Sequence, residues 1–162
     1  MNEKGILIVG VGNPIRGDDS AGIEVIKRLK EFSLPQNVEM RKVSTGGIPL
    51  VEQFLDFGEI ILIDAIYDLS QGVIEKFRVD EIKSAEDSSG VHGMGLVESL
   101  NSLRNIYPER TPKEENIKIF GIGINPNENF SEELSEAVER AVEKVSSEIR
   151  ERIMNLDEEE QN

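Results

Sequence analysis

The stretch EIILIDAIYDLSQGVIEKFRV, residues 59–79, sets the architecture of the sheet. Residues 59–65 form an isoleucine-rich run that is typical of a buried strand, and residues 73–79 alternate between apolar and polar as a second strand does. A crossover between parallel strands needs about a dozen residues or more, and the connection between these two runs is shorter. We therefore expect the second strand to run antiparallel to the others.

Strand and helix patterns alternate along the rest of the chain. Further strands are predicted at residues 5–10, 38–43 and 118–124, and helices at residues 20–32, 49–55, 96–107 and 134–149. This alternation implies a three-layer α/β/α fold with a mixed, mainly parallel sheet. We interpret residues 1–156 as one domain and residues 157–162 as an acidic tail, in which Asp157 to Glu160 fray.

The composition excludes several classes of protein. The net charge of −14 argues against a nucleic-acid partner, because phosphate backbones are bound by clustered Lys and Arg. The apolar runs fall short of the roughly 20 residues that a membrane span needs, and no signal-peptide pattern is seen, so we expect a cytoplasmic protein without a membrane partner. The chain has no cysteine, which excludes disulfides and thiolate chemistry. It has only one histidine, His92.

Ligands of such sheets bind outside the carboxyl ends of the strands. The segments expected at that edge are residues 10–20, 44–49 and 64–67, together with the loop around His92. The first begins like the dinucleotide fingerprint G-x-G-x-x-G, but Ile15 takes the place of the last glycine, and the lysine of a P-loop is absent. Nucleotide binding is therefore not favoured.

Three acidic or basic groups at this edge are candidates for chemistry. One carboxylate of the Asp18–Asp19 pair can cap a helix while its neighbour serves a site. Asp64 ends the most apolar strand, where a carboxylate is costly to bury unless it is paired or binds a cation; a hydrogen bond to a neighbouring turn is the simpler explanation. His92 lies among glycines, which let the backbone approach other groups closely, although a lone histidine is often only a surface or capping residue.

Two carboxylates and one imidazole, Asp19 or its neighbour with Asp64 and His92, would form a ligand set without thiols. Imidazole suits nickel or zinc, and carboxylates can complete such a site. Three ligands leave coordination positions open for a substrate.

These residues, in this order, resemble the hydrogenase maturation protease family. The resemblance runs from Gly10 to about Ala141. It rests on Gly12-Asn13 with Asp18-Asp19, on Asp64-Ala65 at the end of a hydrophobic strand, on His92 with Leu96, on Gly121-Ile122-Gly123, and on Leu134-Ser135 before the last helix. Ser20 is a departure, because family members usually have glycine after the acidic pair.

The resemblance implies a five-stranded mixed sheet with one antiparallel strand and helices on both faces. It also implies an endopeptidase that removes the C-terminal extension of a nickel–iron hydrogenase large-subunit precursor after nickel has been loaded. The nickel then belongs to the substrate and the enzyme has no cofactor of its own, while cadmium or zinc can replace nickel in crystals. The family's metal-binding positions fall on Asp19, Asp64 and His92, which we also predict to be catalytic, and Asp18 is implied to shape the turn.

The hypothesis for the mechanism is that the substrate's nickel docks against these three residues. Water then attacks the scissile carbonyl, with either a carboxylate as general base or the metal polarising the reacting groups. A serine nucleophile is disfavoured, because the chain has no Gly-x-Ser-x-Gly elbow and its histidine has no evident triad partner. The main alternative is a nickel-binding assembly factor without enzymatic activity, and a nucleotide-binding module is a more distant one.

Overall fold

The computed structural model describes residues 4–82, 95–125 and 133–162. Strands and helices alternate along the chain, with short 3-10 helices between some of them. In chain order they are β1 (Ile6–Val11), a 3-10 helix (Gly17–Ser20), α1 (Ala21–Leu29), β2 (Val38–Val43), α2 (Gly47–Val51), a 3-10 helix (Glu52–Phe54), β3 (Glu59–Ile66), β4 (Ile74–Arg78), a 3-10 helix (Val79–Glu81), α3 (Leu96–Ile106), a 3-10 helix (Glu114–Asn116), β5 (Ile117–Gly123) and α4 (Glu136–Gln161).

The strands form one mixed five-stranded sheet in the order β2-β1-β3-β5-β4. The pairs β1–β2, β1–β3 and β3–β5 are parallel, and β4 runs antiparallel to β5. The predicted mixed sheet and its antiparallel strand are thus confirmed. The connection from β3 to β4 passes the end of β5, where Gly72 N donates to Gly123 O at 2.8 Å and Gly123 N donates to Val73 O at 2.7 Å.

Strand β3 has a continuous apolar run, Ile60–Ile63, because helices cover both faces of the sheet. Ile61 and Ile63 pack with α1 and α4, whereas Ile60 and Leu62 pack with α2 and α3. A strand buried on both sides reads as a continuous hydrophobic run rather than an alternating one. This packing confirms the three-layer prediction and puts β3 in the centre of the core.

The helix boundaries differ from those predicted. The helix expected at residues 20–32 begins as a 3-10 turn and its α-helical part ends at Leu29. Phe32, which we expected on the apolar face of that helix, lies beyond it and is partly exposed, with the guanidinium of Arg150 4.1 Å from its ring centre. A cation over an aromatic face is a favourable contact, and it explains how this ring is accommodated outside the core.

Helix α4 continues through residues 157–160, so the segment that we expect to fray is helical in the structure. Leu156 packs against the core just before this segment, and Gln161 Nε2 donates to Asp157 Oδ2 at 2.9 Å. Extending an existing helix avoids the cost of nucleating a new one, so an anchored helix can carry a polar end. Despite the length of α4, no helix in the described ranges is apolar enough to cross a membrane.

Candidate functional site

The turn between β1 and α1 is pressed against the ends of two strands. A methyl group placed on Gly22 would lie 2.5 Å from Ile63 O and closer still to Val11 O. Only a residue without a side chain allows α1 to start this near to β1 and β3. The acidic pair that precedes α1 is therefore held beside the strand that carries Asp64.

Asp18 is buried, with 6% of its surface exposed, and its carboxylate is bonded to two distant segments. Its Oδ1 accepts a hydrogen bond from Ser135 N at 2.7 Å, and its Oδ2 accepts from Ser135 Oγ at 2.8 Å and from Gln71 Nε2 at 3.1 Å. Ser135 is the N-cap of α4. The Asp18 carboxylate thus bonds to the N-cap residue of α4, and does not cap α1, the helix that directly follows the acidic pair.

Asp19 is also buried, with 8% of its surface exposed. Its backbone closes the turn: Asp19 N donates to Arg16 O at 3.0 Å, and Asn13 N donates to Asp19 O at 3.2 Å. The 3-10 helix Gly17–Ser20 thus holds Asp19 in a defined place directly before α1.

Asp64 lies in β3, two residues before the strand ends, and is 1% exposed. Its Oδ1 accepts from Ala65 N at 2.8 Å. Side chains alternate along a strand, so Asp64 projects to the same side as Ile60 and Leu62, the side covered by α2 and α3. Ala65 belongs to β3 itself, so this bond is to the strand and not to a neighbouring turn.

The Tyr67 hydroxyl lies near both carboxylates. Burial raises the pKa of the Tyr67 hydroxyl, the charge of Asp19 raises it further, the Arg16 guanidinium lowers it, and Asp64 adds a smaller upward effect. A single hydroxyl group is thus within electrostatic reach of both Asp19 and Asp64. The phenol is protonated at neutral pH, as tyrosine ordinarily is, and it can donate a hydrogen bond.

His92, the third predicted ligand, lies outside the described residues, in the gap between 82 and 95. The part of the chain that the structure describes contains no group of three acidic or histidine side chains placed to hold a metal ion. Asp19 and Asp64 are brought to one edge of the sheet, and the convergence of His92 with them stays a prediction. Helix α3, which begins four residues after His92, covers the face to which Asp64 projects.

Sequence reasoning missed Gln71 and the role of Tyr67, and it noted Ser135 only as part of the resemblance. The segment 64–67 was expected at the carboxyl edge, which could have drawn attention to Tyr67. No local pattern points to Gln71, because its partners Asp18 and Ser135 are 53 and 64 residues away along the chain.

Exposed apolar side chains surround this edge. Ile15 follows β1, Ile48 lies in the first turn of α2 after β2, and Tyr67 follows β3; each is more than two-fifths exposed. The three strands are neighbours in the sheet. Apolar groups thus follow three adjacent strands next to the buried carboxylates.

The fold and the site together define an α/β protein with a thiol-free acidic site at the carboxyl edge of a mainly parallel sheet. The chain belongs to the hydrogenase maturation protease family, a family of peptidases, whose model matches residues 23–152. It is 40% identical over 111 residues to a Methanocaldococcus jannaschii protein assigned as a hydrogenase maturation protease, a match that covers 65% of this chain and 71% of the relative.

Two further comparisons agree with this assignment. The coenzyme F420 hydrogenase subunit delta of Methanothermobacter thermautotrophicus is 30% identical over 130 residues, which are 76% of this chain and 75% of that protein. The solved structure of the nickel–iron hydrogenase maturation protease HybD from Thermococcus kodakarensis superposes with a TM-score of 0.71 at 25% identity, covering 92% of this chain and 99% of that one. The predicted fold and family are both confirmed.

Proposed function

We propose that this protein is a cytoplasmic endopeptidase that removes the C-terminal extension from the nickel-loaded large-subunit precursor of a nickel–iron hydrogenase. The observation that carries the proposal is a pair of buried carboxylates, Asp19 and Asp64, at the carboxyl ends of adjacent parallel strands in a member of the maturation protease family. Carboxylate oxygens can complete a site for a borderline metal such as nickel, so this pair could contact a metal that the substrate brings.

Asp19, Asp64 and His92 contact the nickel that the precursor carries, and this contact puts the scissile peptide beside them. Water attacks the scissile carbonyl, activated either by one of the carboxylates as general base or by the metal. The protein supplies no cofactor of its own, and neither nucleic acid nor a membrane takes part. The packing of α3 on the side to which Asp64 projects supports the inclusion of His92, because His92 precedes α3 by four residues in the sequence.

The test is cleavage of purified nickel-loaded precursor, followed as the loss of mass from its C-terminus. Asp19→Asn and Asp64→Asn should each slow cleavage about 10²-fold or more, because each removes a charge from the reacting groups. Both variants should fold, since the amide oxygen of asparagine can still accept the bond from Ala65 N at position 64, and the turn bonds of Asp19 come from its backbone.

Asp56→Asn is the matched control for these two substitutions. Asp56 is exposed, lies before β3 at the opposite edge of the sheet, and pairs with Arg110 on the surface. Its φ of 71° is one that asparagine tolerates well. This control should cleave as fast as the wild type, and equal cleavage by all three variants would reject the site.

The role of nickel is tested separately by changing the substrate. Precursor without nickel should remain uncut, whereas treating the protease alone with a chelator before the assay should leave cleavage of loaded precursor unchanged. His92→Ala should behave like the two aspartate variants. Tight binding of loaded precursor without any mass loss would instead identify a non-enzymatic assembly factor.

One relative indicates which substrate to assay first. Because the chain resembles a protein named as a subunit of a coenzyme F420 hydrogenase, the large-subunit precursor of such a hydrogenase should be among the precursors tested.

A further inference from the structure

We propose that Asp18 is a positioning residue, whose carboxylate fastens the turn that carries Asp19 both to the loop after β3 and to the start of α4. Its effect on peptide cleavage rests on the function proposed above, whereas the fastening itself is a property of this chain alone.

The hydrogen bonds around Asp18 form a closed set. Ser135 Oγ donates its only hydrogen to Asp18 Oδ2, and it accepts from Gln71 Nε2 at 2.9 Å and from Val138 N at 3.4 Å. Gln71 Nε2 directs one N–H to Ser135 and the other to Asp18. A hydroxyl has one donor and two acceptor sites, and an amide nitrogen has two donors. The hydrogen-bonding sites of the Ser135 hydroxyl and of the Gln71 amide nitrogen are therefore all occupied.

Every partner of Asp18 is a donor: a backbone N–H, a hydroxyl and an amide. A carboxylate can accept all three bonds, but the isosteric amide of asparagine would turn an N–H towards at least one of them. The network therefore requires the carboxylate at this position and not merely a polar side chain of the same size.

The loop that contains Gln71 is itself held in place. Gly72 has φ +81°, a conformation that favours glycine, and a methyl group there would lie 2.8 Å from Ala137 O in the first turn of α4. On its other side the loop bonds to Gly123 at the end of β5 through Gly72 N and Val73 O. The Gln71 amide is thus a fixed anchor for Asp18.

This anchor links the two segments that carry the predicted catalytic carboxylates. Asp18 and Asp19 are neighbours in one 3-10 turn, and Gln71 belongs to the loop that continues β3 beyond Asp64. A shift of about 1 Å in a catalytic group can cost about 10²-fold in rate. Loss of the anchor should therefore lower kcat more than it raises KM.

Gln71→Ala is the central variant, since it removes one bond to Asp18 without changing any charge and leaves Ser135 to cap α4. We expect kcat for loaded precursor to fall several-fold with KM unchanged, and Asp18→Asn to cause a larger fall of the same kind. Ile149→Val, a change in the buried face of α4, is the control for a general loss of stability, and its kcat should remain that of the wild type.

Amide hydrogen exchange tests the fastening without any substrate. In Gln71→Ala, the amides of Asn13 and Asp19, which close the turn, should exchange faster, while those of Val138 and Glu139 in the first turn of α4 should not change. The inference would be overturned if the turn amides of Gln71→Ala exchanged at the wild-type rate. It would also be overturned if kcat fell as much in Ile149→Val as in Gln71→Ala. If the wild type cuts no precursor, the proposed function fails, and the exchange result still decides on the fastening.

Discussion

Two neighbouring carboxylates, Asp18 and Asp19, share one turn but have different surroundings. Asp18 accepts three hydrogen bonds from Ser135 and Gln71, whereas the charge of Asp19 raises the pKa of the Tyr67 hydroxyl. The residue types alone permit either aspartate to cap a helix or to serve a site. The distribution of roles follows from which side of the turn faces α4.

Gly22 tests how tightly the turn is packed. Glycine inside a helix usually makes the protein less stable than alanine would, by about 0.5–1 kcal/mol. In a solvent-exposed helix, a change such as Gly22→Ala would therefore be stabilising. Here the methyl group would meet the backbone of both β1 and β3, and overpacking of this kind costs about 1–3 kcal/mol. We expect the free energy of unfolding to fall by about 1–2 kcal/mol, measured by urea denaturation.

The control for this prediction is Lys27→Ala, on the exposed side of the same helix. It removes a surface ion pair with Glu24, which contributes little to stability. If Gly22→Ala proved more stable than the wild type, α1 could not lie as close to the strands as described.

Helix α4 combines a strongly anchored beginning with a polar end. Asp18 and Ser135 place a negative charge and a cap at its N-terminus, where the helix dipole favours anions. Its last turns instead contain Asp157, Glu158, Glu159 and Glu160, and negative charge near a helix C-terminus is unfavourable. The helical end must depend on the part of α4 that packs on the core.

Truncation after Leu156 should therefore change the free energy of unfolding by less than about 0.5 kcal/mol and leave precursor cleavage unchanged. Removing Leu156 as well should cost about 1 kcal/mol, because this half-buried side chain packs against the core. Thermal and urea unfolding of the two truncated proteins check the difference. A large loss from the shorter truncation would show that the acidic turns contribute to the fold.

The carboxyl edge of the sheet combines buried acids with exposed apolar side chains. Ile15, Ile48 and Tyr67 follow β1, β2 and β3, so an extended substrate segment crossing the edge would meet all three. Complete burial of one such side chain by the substrate would contribute about 1.5–3 kcal/mol to the binding free energy. Ile15→Ser should therefore raise KM for the precursor about tenfold, with kcat little changed, in steady-state cleavage assays.

Ile106→Ser is the matched control, because Ile106 is 66% exposed at the C-terminal end of α3. This substitution makes the same chemical change far from the acidic edge and should not alter KM. If both variants raise KM equally, the apolar groups at the edge have no special part in binding the substrate.

Local patterns along the chain account for most of the architecture. The boundaries of β2 agree with prediction, and the apolar run of β3 indicates a strand covered on both faces. The short connection to β4 requires a reversed strand, since a chain of that length cannot cross over to a parallel position. The candidates Asp19 and Asp64 follow from the same reasoning, because parallel strands end at one edge.

Contacts between distant residues account for what those patterns leave open. Asp18 is bonded to Gln71 and Ser135, which are 53 and 117 residues away, and no short-range periodicity encodes such a pair. The end of α4 likewise is helical because Leu156 is anchored in the core, although the acidic residues after it would not form a helix alone. Strand and helix periods are local properties of the backbone, whereas the partner of a buried carboxylate depends on how the elements pack.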